Sequence, residues 1–528
     1  MKKIARYVLT AAMMLASAIG AQAQSDPDAT IKAVGKIVNK HGDVAEYFIS
    51  KEIYPKYRKD AKVLTGIARA YNQAPRGVDS SYVFNYIRKA IEIDPNYAPA
   101  YVIGGTELRQ RGDTLAAFEW YDRAIKANPK DPDGYLKYAQ LMANKKYSKC
   151  DLEGAVRKLE ELANINPEAN IYVEVGRLYV DAGGMDYIPQ AIDAYAKADV
   201  AIMTPAQVSA YVYLLQAAGA SGGGIGSYNR SDSVLSLALA KYPSNADLNR
   251  LMLQNSVKLE RYEQALNVAD ALFNKSDSLE IDFMDFIYHG DAYLGLKRYD
   301  DAIAMYKKCV DYEIKQSDYK SDEAYENMKR QEDRQKGNAM KKIVNAYKAK
   351  GYVEEAIEEY KKYIEYRTEI GKLESLDLNG LAELYEKDLT EMVNGEEKLA
   401  AYRKAFDTYD DMAKLALSEN GMEDNALIAY ARRINIASQY LDKEQVEGLG
   451  ISDAEEIIRL CPIDAELNGL QKHCLKLSVR FLAYYYIQKE QYKQLAIYYK
   501  MLEKIDPDDN IYLMLSTNKV YRKKMGIR

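Results

Sequence analysis

Small and aromatic residues recur along this chain at offsets that belong to pairs of helices. Gly105, Leu108, Ala117, Tyr121, Ala124 and Pro129 are separated by steps of 3, 9, 4, 3 and 5, and Ala483, Tyr486, Leu495, Tyr499, Leu502 and Pro507 repeat those steps. Gly290, Tyr293, Ala302, Tyr306 and Cys309 give 3, 9, 4 and 3, as do Val344, Tyr347, Ala356, Tyr360 and Tyr363. Steps of three and four place residues on one helix face. The step of nine spans a helix end, a tight turn and the next helix start. Gly112-Asp113, Lys297-Arg298 and Lys350-Gly351 supply turn residues inside it. Each unit is therefore predicted to be a helical hairpin of about 34 residues. Gly105 and Gly290 are expected where the two helices approach closely, with Ala117 and Ala302 as their counterparts on the second helix. Pro129 and Pro507 end a second helix or begin the next, since proline cannot donate within a helix interior.

This order of small, aromatic, alanine, aromatic and proline positions resembles the tetratricopeptide repeat (TPR) family. The resemblance implies an all-α fold, a right-handed superhelical solenoid whose first helices line a concave face. Looser units extend it: Leu64, Ala68, Tyr71, Ala90 and Pro95, then Tyr135, Ala139, Ala155 and Pro167. Tyr172, Gly176, Tyr179, Ala191, Tyr195 and Ala198 form another, and Ala238 with Pro243 and Ala265 with Ala269 mark two weaker ones. Leu378, Ala382, Tyr385, Ala405 and Tyr409 enclose an insert, and Ala454, Ile458 and Cys461 close a last loose unit. About eleven hairpins are expected across 61–509, as an N-terminal array over 61–310 and a C-terminal array over 338–509.

The ends are expected to act as caps. Residues 24–60 carry an apolar stripe (Val44, Tyr47, Phe48), and 510–528 should form a capping helix that starts apolar and ends with Arg522, Lys523 and Lys524. A polar outer face at the terminus prevents end-to-end stacking. The stretch 311–337 is dense in charge, with Asp322-Glu323 and Lys329-Arg330-Gln331-Glu332-Asp333-Arg334. Opposite charges at helical spacing predict an extended solvated helix, placed as a bend between the arrays.

Composition narrows the setting. Residues 1–23 carry Lys2, Lys3 and Arg6, an apolar run and Ala21-Gln22-Ala23, the pattern of a cleaved signal peptide. Removing those three cations takes the formal charge from −5 to −8, which argues against nucleic acid as a partner. No later stretch reaches the roughly 18 apolar residues of a membrane span. No cysteine follows the signal as a lipid-attachment site, so a periplasmic or secreted location is expected. The 47 Tyr against 8 Phe and 1 Trp suit a thin fold, with rings inside and hydroxyls at the water boundary.

Little in the sequence carries reaction chemistry. The run Ser221-Gly222-Gly223-Gly224-Ile225-Gly226-Ser227 lacks the lysine of a phosphate loop and reads as a plain turn. His41, His289 and His473 are far apart, and His289, beside Gly290, reads as a satisfied, partly buried histidine. Glu354-Glu355 and Glu455-Glu456 read as solvated helix faces. Cys461 and Cys474 fall on consecutive helices, and spacing alone leaves their pairing open. Asp113-Thr114-Leu115, Asp232-Ser233-Val234 and Asp277-Ser278-Leu279 resemble an O-glycosylation acceptor of some bacteria, each at a predicted turn; turn preference alone also explains them. No catalytic residue, cofactor or metal is expected.

The groove of first helices is thus the expected site, with Arg69, Thr106, Gln140, Arg177, Lys341, Asn345, Arg480 and Tyr484 as partner contacts by helical offset. Lys341 with Asn345 resembles half of the carboxylate clamp of TPR co-chaperones, without the remaining clamp residues. The expected function is a non-catalytic scaffold of the periplasm or cell envelope that binds proteins or peptides. The alternatives are a SusD-like glycan- or nutrient-binding protein at the outer membrane and an enzyme built on the insert 386–400.

Overall fold

A computed structural model of the chain describes residues 26–527 apart from 76, 148, 184, 276–280 and 420. The expected signal segment and Ser278 lie outside the described residues. Among the described residues every regular element is helical, and none of the helices is long and apolar enough to cross a membrane. The chain divides into two compact units between Asn255 and Ser256.

In the first unit, α1 (Pro27–His41) and an irregular helical stretch over 44–57 precede five hairpins. These are α2 (Ala61–Asn72) with α3 (Ser81–Ile93), α4 (Ala98–Gln110) with α5 (Thr114–Ala127), and α6 (Pro132–Met142) with α7 (Leu152–Ile165). They continue as α8 (Tyr172–Ala182) with α9 (Ile188–Lys197), and α10 (Pro205–Ala218) with α11 (Gly224–Lys241). Helix α12 (Ala246–Lys258) carries the boundary, and α13 (Tyr262–Lys275) follows.

The second unit pairs α14 (Phe283–Gly295) with α15 (Tyr299–Val310) and α16 (Asp322–Lys350) with α17 (Val353–Glu369). Next come α18 (Ser375–Glu383) with α19 (Gly395–Ser418), and α20 (Glu423–Ile436) with α21 (Ile451–Leu460). The unit ends with α22 (Gly469–Gln488) against α23 (Tyr492–Ile505), then α24 (Asn510–Thr517) and α25 (Lys519–Met525). Among the described residues this makes ten packed helix pairs, with α12 and α13 following one another between the fifth and sixth, in line with the about eleven units expected from the repeat spacing.

The spacing works through a notch and a ring. A Cβ on Gly105 or Gly290 would collide with the ring of Tyr121 or Tyr306, and one on Gly176 would lie 2.6 Å from Tyr195. Glycine lets the second helix press its tyrosine flat on the first. Tyr121 and Tyr306 are fully buried as a result. Their hydroxyls explain why tyrosine outnumbers phenylalanine: Tyr306 donates to Asp291 at 2.7 Å, Tyr409 to Glu386 at 2.7 Å, and Tyr71 and Tyr86 both donate to Glu46. A buried ring thus ends on a carboxylate at the water boundary. Burial, then the Asp291 charge, push the Tyr306 phenol upward, so it stays a donor. Helix starts are marked by aspartate: Asp60, Asp113 and Asp151 each accept from a backbone N–H three residues on.

Several expectations are corrected. In 44–57 the buried residues are Ala45, Phe48, Ile49 and Ile53, while Val44 and Tyr47 are exposed; the buried face of the helix Val44–Phe48 is the one carrying Ala45 and Phe48, and it continues into the π turn Ile49–Ile53. The charged stretch runs on as the first half of the 29-residue α16, and its edge is not solvated. Glu332 is fully buried, accepts from the Ile314 N–H and pairs with Lys329 and Lys336. The terminal cap is two helices, because Asn518 stops α24 and caps α25, and Leu513, Met514 and Val520 stay exposed. The glycine run is a kinked π turn (Gly219–Gly223) that opens directly into α11, with Gly222 at φ 114°. Ser233 therefore sits within a helix, bonded to the Asn229 carbonyl, whereas Thr114 begins α5 as expected of a turn. His289 is not satisfied: it is buried between Phe273 and Tyr293, and neither ring nitrogen has a hydrogen-bond partner among the described residues. Cys461 and Cys474 are buried free thiols, and burial pushes Cys474 up to about 11.

Candidate partner-binding clefts

Outward residues on the first helices of neighbouring hairpins in the first unit line clefts. Between α6 and α8 lies a cleft of about 370 Å³, with Gln140, Asn144, Lys145 and Lys146 on one wall and Arg177 and Asp181 on the other. Two sequence-predicted residues, Gln140 and Arg177, are brought together there. Arg177 is already engaged, donating to Glu174 at 2.6 Å and to Asp181 at 3.1 Å. Gln140 accepts from Lys137 at 3.4 Å.

A second cleft, about 560 Å³, opens on the other side of Arg177 between α8 and α10. Its walls are almost wholly apolar: Val173, Val180, Ala210, Tyr213 and Leu214. Val180 is 45% exposed and Tyr213 57% exposed, so both rims stand open to water. Sequence reasoning missed this cleft. The signal was present in α10, Pro-Ala-Gln-Val-Ser-Ala-Tyr-Val-Tyr-Leu-Leu-Gln-Ala-Ala, which is apolar nearly all round. Val208, Tyr211, Val212 and Leu215 satisfy the core, so Tyr213 and Leu214 are surplus to packing on that face.

In the second unit a polar cleft of about 420 Å³ lies among α16, α17 and α18. Lys341 donates to Asp377 at 3.0 Å and its ammonium sits 4.6 Å from the Tyr363 ring centre. The Tyr363 hydroxyl donates to the same oxygen at 2.6 Å, and Arg367 Nε reaches the other oxygen at 3.2 Å. Burial opposes ionisation of Asp377, but the Tyr363 and Lys341 donors outweigh it and hold the carboxyl below its ordinary range. Asn345 is exposed one turn further along α16.

The remaining candidates are not brought together. Arg69 is exposed on α2. Thr106 bonds back to the Val102 carbonyl at 2.8 Å and accepts from Tyr121 at 3.4 Å. Arg480 lies 3.4 Å from Asp509, and Tyr484, one turn on, is 48% exposed.

Residues 289–313, covering the second half of α14 and all of α15, and 342–369, covering the last nine residues of α16 and all of α17, match the model of the tetratricopeptide repeat. No curated protein matches the chain. Among solved structures it is similar to the C-terminal part of a TPR repeat-containing protein from Cytophaga hutchinsonii, with 18% identity, 60% of this chain and 99% of that chain covered, and a TM-score of 0.38. It is also similar to a tetratricopeptide repeat protein from Parabacteroides merdae (16% identity, 45% and 88% covered, TM-score 0.25). A third is PilF of Pseudomonas aeruginosa (16%, 48% and 91%, 0.25). The two matched segments are tetratricopeptide repeats, carried among described residues that form all-α helical hairpins.

Proposed function

We propose that this chain is a non-catalytic scaffold of the bacterial periplasm or cell envelope that holds partner proteins or peptides along the faces of its first helices. The observation that carries this reading is the pair of clefts flanking Arg177, where first helices leave a continuous wall of polar and apolar side chains unburied. A hairpin array spends its apolar residues on neighbour contacts, so side chains left over on the first-helix face are free for a partner. The signal-like start of the sequence supports export as part of the same reading. The glycan-binding alternative is not favoured: the sequence holds a single Trp, and Trp120, half-buried against Gly104, Phe84 and Tyr101, is the one indole that its open cleft with Arg88 and Arg123 could offer a sugar ring. A crosslinking pull-down from the native envelope fraction tests the scaffold, comparing wild type with Arg177→Glu and Lys341→Glu. Loss of a wild-type partner in either variant supports it; identical recovery from all three removes the groove.

A further inference from the structure

We infer that the two clefts meeting at Arg177 form one composite site for a peptide that sets a bulky apolar side chain beside a carboxylate. This rests on the scaffold reading and specifies the partner's chemistry. The apolar half is the α8–α10 cleft, lined by the exposed Val180 and Tyr213 together with Ala210 and Leu214. Its volume of about 560 Å³ accommodates an aromatic or large aliphatic side chain with its flanking backbone. The polar half is the α6–α8 cleft, where charge is out of balance. Arg177 is neutralised by Glu174 and Asp181, yet Lys145 and Lys146 have no carboxylate partner among the described residues. Lys145 reaches across to α8, its Nζ lying 3.4 Å from where a Cβ on Gly183 would stand. Two exposed ammonium groups beside an apolar trough favour an acidic partner segment over a basic or neutral one.

The two halves adjoin at Arg177, which lines each of them. A bound peptide therefore passes over Arg177, its apolar anchor in the α8–α10 trough and its carboxylate toward the α6 turn. Arg177 serves as the divider, and its paired state keeps it from competing for the peptide's charge.

Random dodecapeptides displayed on phage and selected on the full chain test this. The expected pool is enriched in aromatic or large aliphatic residues within a few positions of Asp or Glu. The top synthetic peptide should lose at least tenfold in affinity with Lys145→Glu/Lys146→Glu, and as much with Tyr213→Ala or Ala210→Trp. Tyr213 and the two lysines are exposed, so those variants keep the wild-type melting temperature, and any of the three readouts alone decides its half of the site. Enrichment of basic peptides, or affinity unchanged in the lysine and Tyr213 variants, overturns the composite site while leaving a peptide-binding scaffold. No enriched peptide at all, with retention only of anionic phospholipid vesicles, overturns both readings.

Discussion

Tyr306 lies flat in the notch left by Gly290, and its hydroxyl donates to Asp291, the residue that follows that glycine, at 2.7 Å. One side chain thus fills the hairpin interface and closes its polar edge. Asp291 also receives Lys342 at 2.7 Å, so the contact links α14, α15 and α16. Tyr306→Ala is expected to destabilise by about 3–5 kcal/mol through the cavity it leaves. Tyr306→Phe should cost only about 1–2 kcal/mol, since Asp291 keeps Lys342. Chemical denaturation of both variants gives the ratio; equal losses would mean that the ring contributes nothing beyond its hydroxyl.

The turns of the regular repeats share a left-handed residue seven positions after the notch. Gly112 (φ 86°) and Gly351 (φ 84°) occupy it in two units, but Lys297 (φ 60°) and Glu490 (φ 52°) occupy it in the others. A Cβ on Gly351 would touch nothing, so Gly351→Ala isolates the backbone cost, about 1–2 kcal/mol. Lys297→Gly should stabilise by a few tenths to about 1 kcal/mol, because the relieved strain exceeds the added chain entropy. Melting temperatures moving in opposite directions confirm the pair.

His289 supplies a pH dependence. Burial first, then the Lys308 and Arg298 charges, lower its pKa to about 4, although Asp270 and Asp301 oppose this. The folded state therefore prefers the neutral ring. Its contribution is complete above the unfolded pKa of about 6.5 and is lost as pH falls from there toward 4. The full loss is on the order of 3 kcal/mol. His289→Phe should leave stability near pH 7.5 unchanged or higher and flatten the difference curve between pH 6.5 and 4. A variant curve parallel to wild type across that range would exclude His289 as its source.

Asp442 acts as a latch on the loop before α21. Its two oxygens accept from the backbone N–H groups of Val446, Glu447, Gly448 and Leu449 at 2.7–3.2 Å. The carboxylate is buried, so Asp442→Ala leaves four donors without their acceptor and should cost about 3 kcal/mol or more. Asp442→Asn retains one acceptor oxygen and should cost less. Hydrogen exchange of those four amides reads the latch directly.

The hairpins were legible because their packing depends on local spacing: Gly290 and Tyr306 lie sixteen residues apart and meet through one turn. What depends on chain reversal elsewhere was not. Glu332 meets Ile314 through a loop, and Asp442 gathers amides from an irregular segment, so neither leaves a periodic trace. Helical offset placed Arg177 and Lys341 on the first-helix faces but could not show that Glu174 and Asp377 neutralise them. Tyr213 and Val180 were hidden because an apolar residue in a helix reads as core until the core residues are counted out.

The central claim, that partners bind on the first-helix face, is tested most directly by photocrosslinking in the native envelope. A photoreactive residue replaces Tyr213 on α10 in one variant and Leu237 on α11, which is 62% exposed on a second helix, in another. Crosslinks to a partner from position 213 and none from 237 are the predicted result; a partner captured from 237 and not from 213 would contradict it.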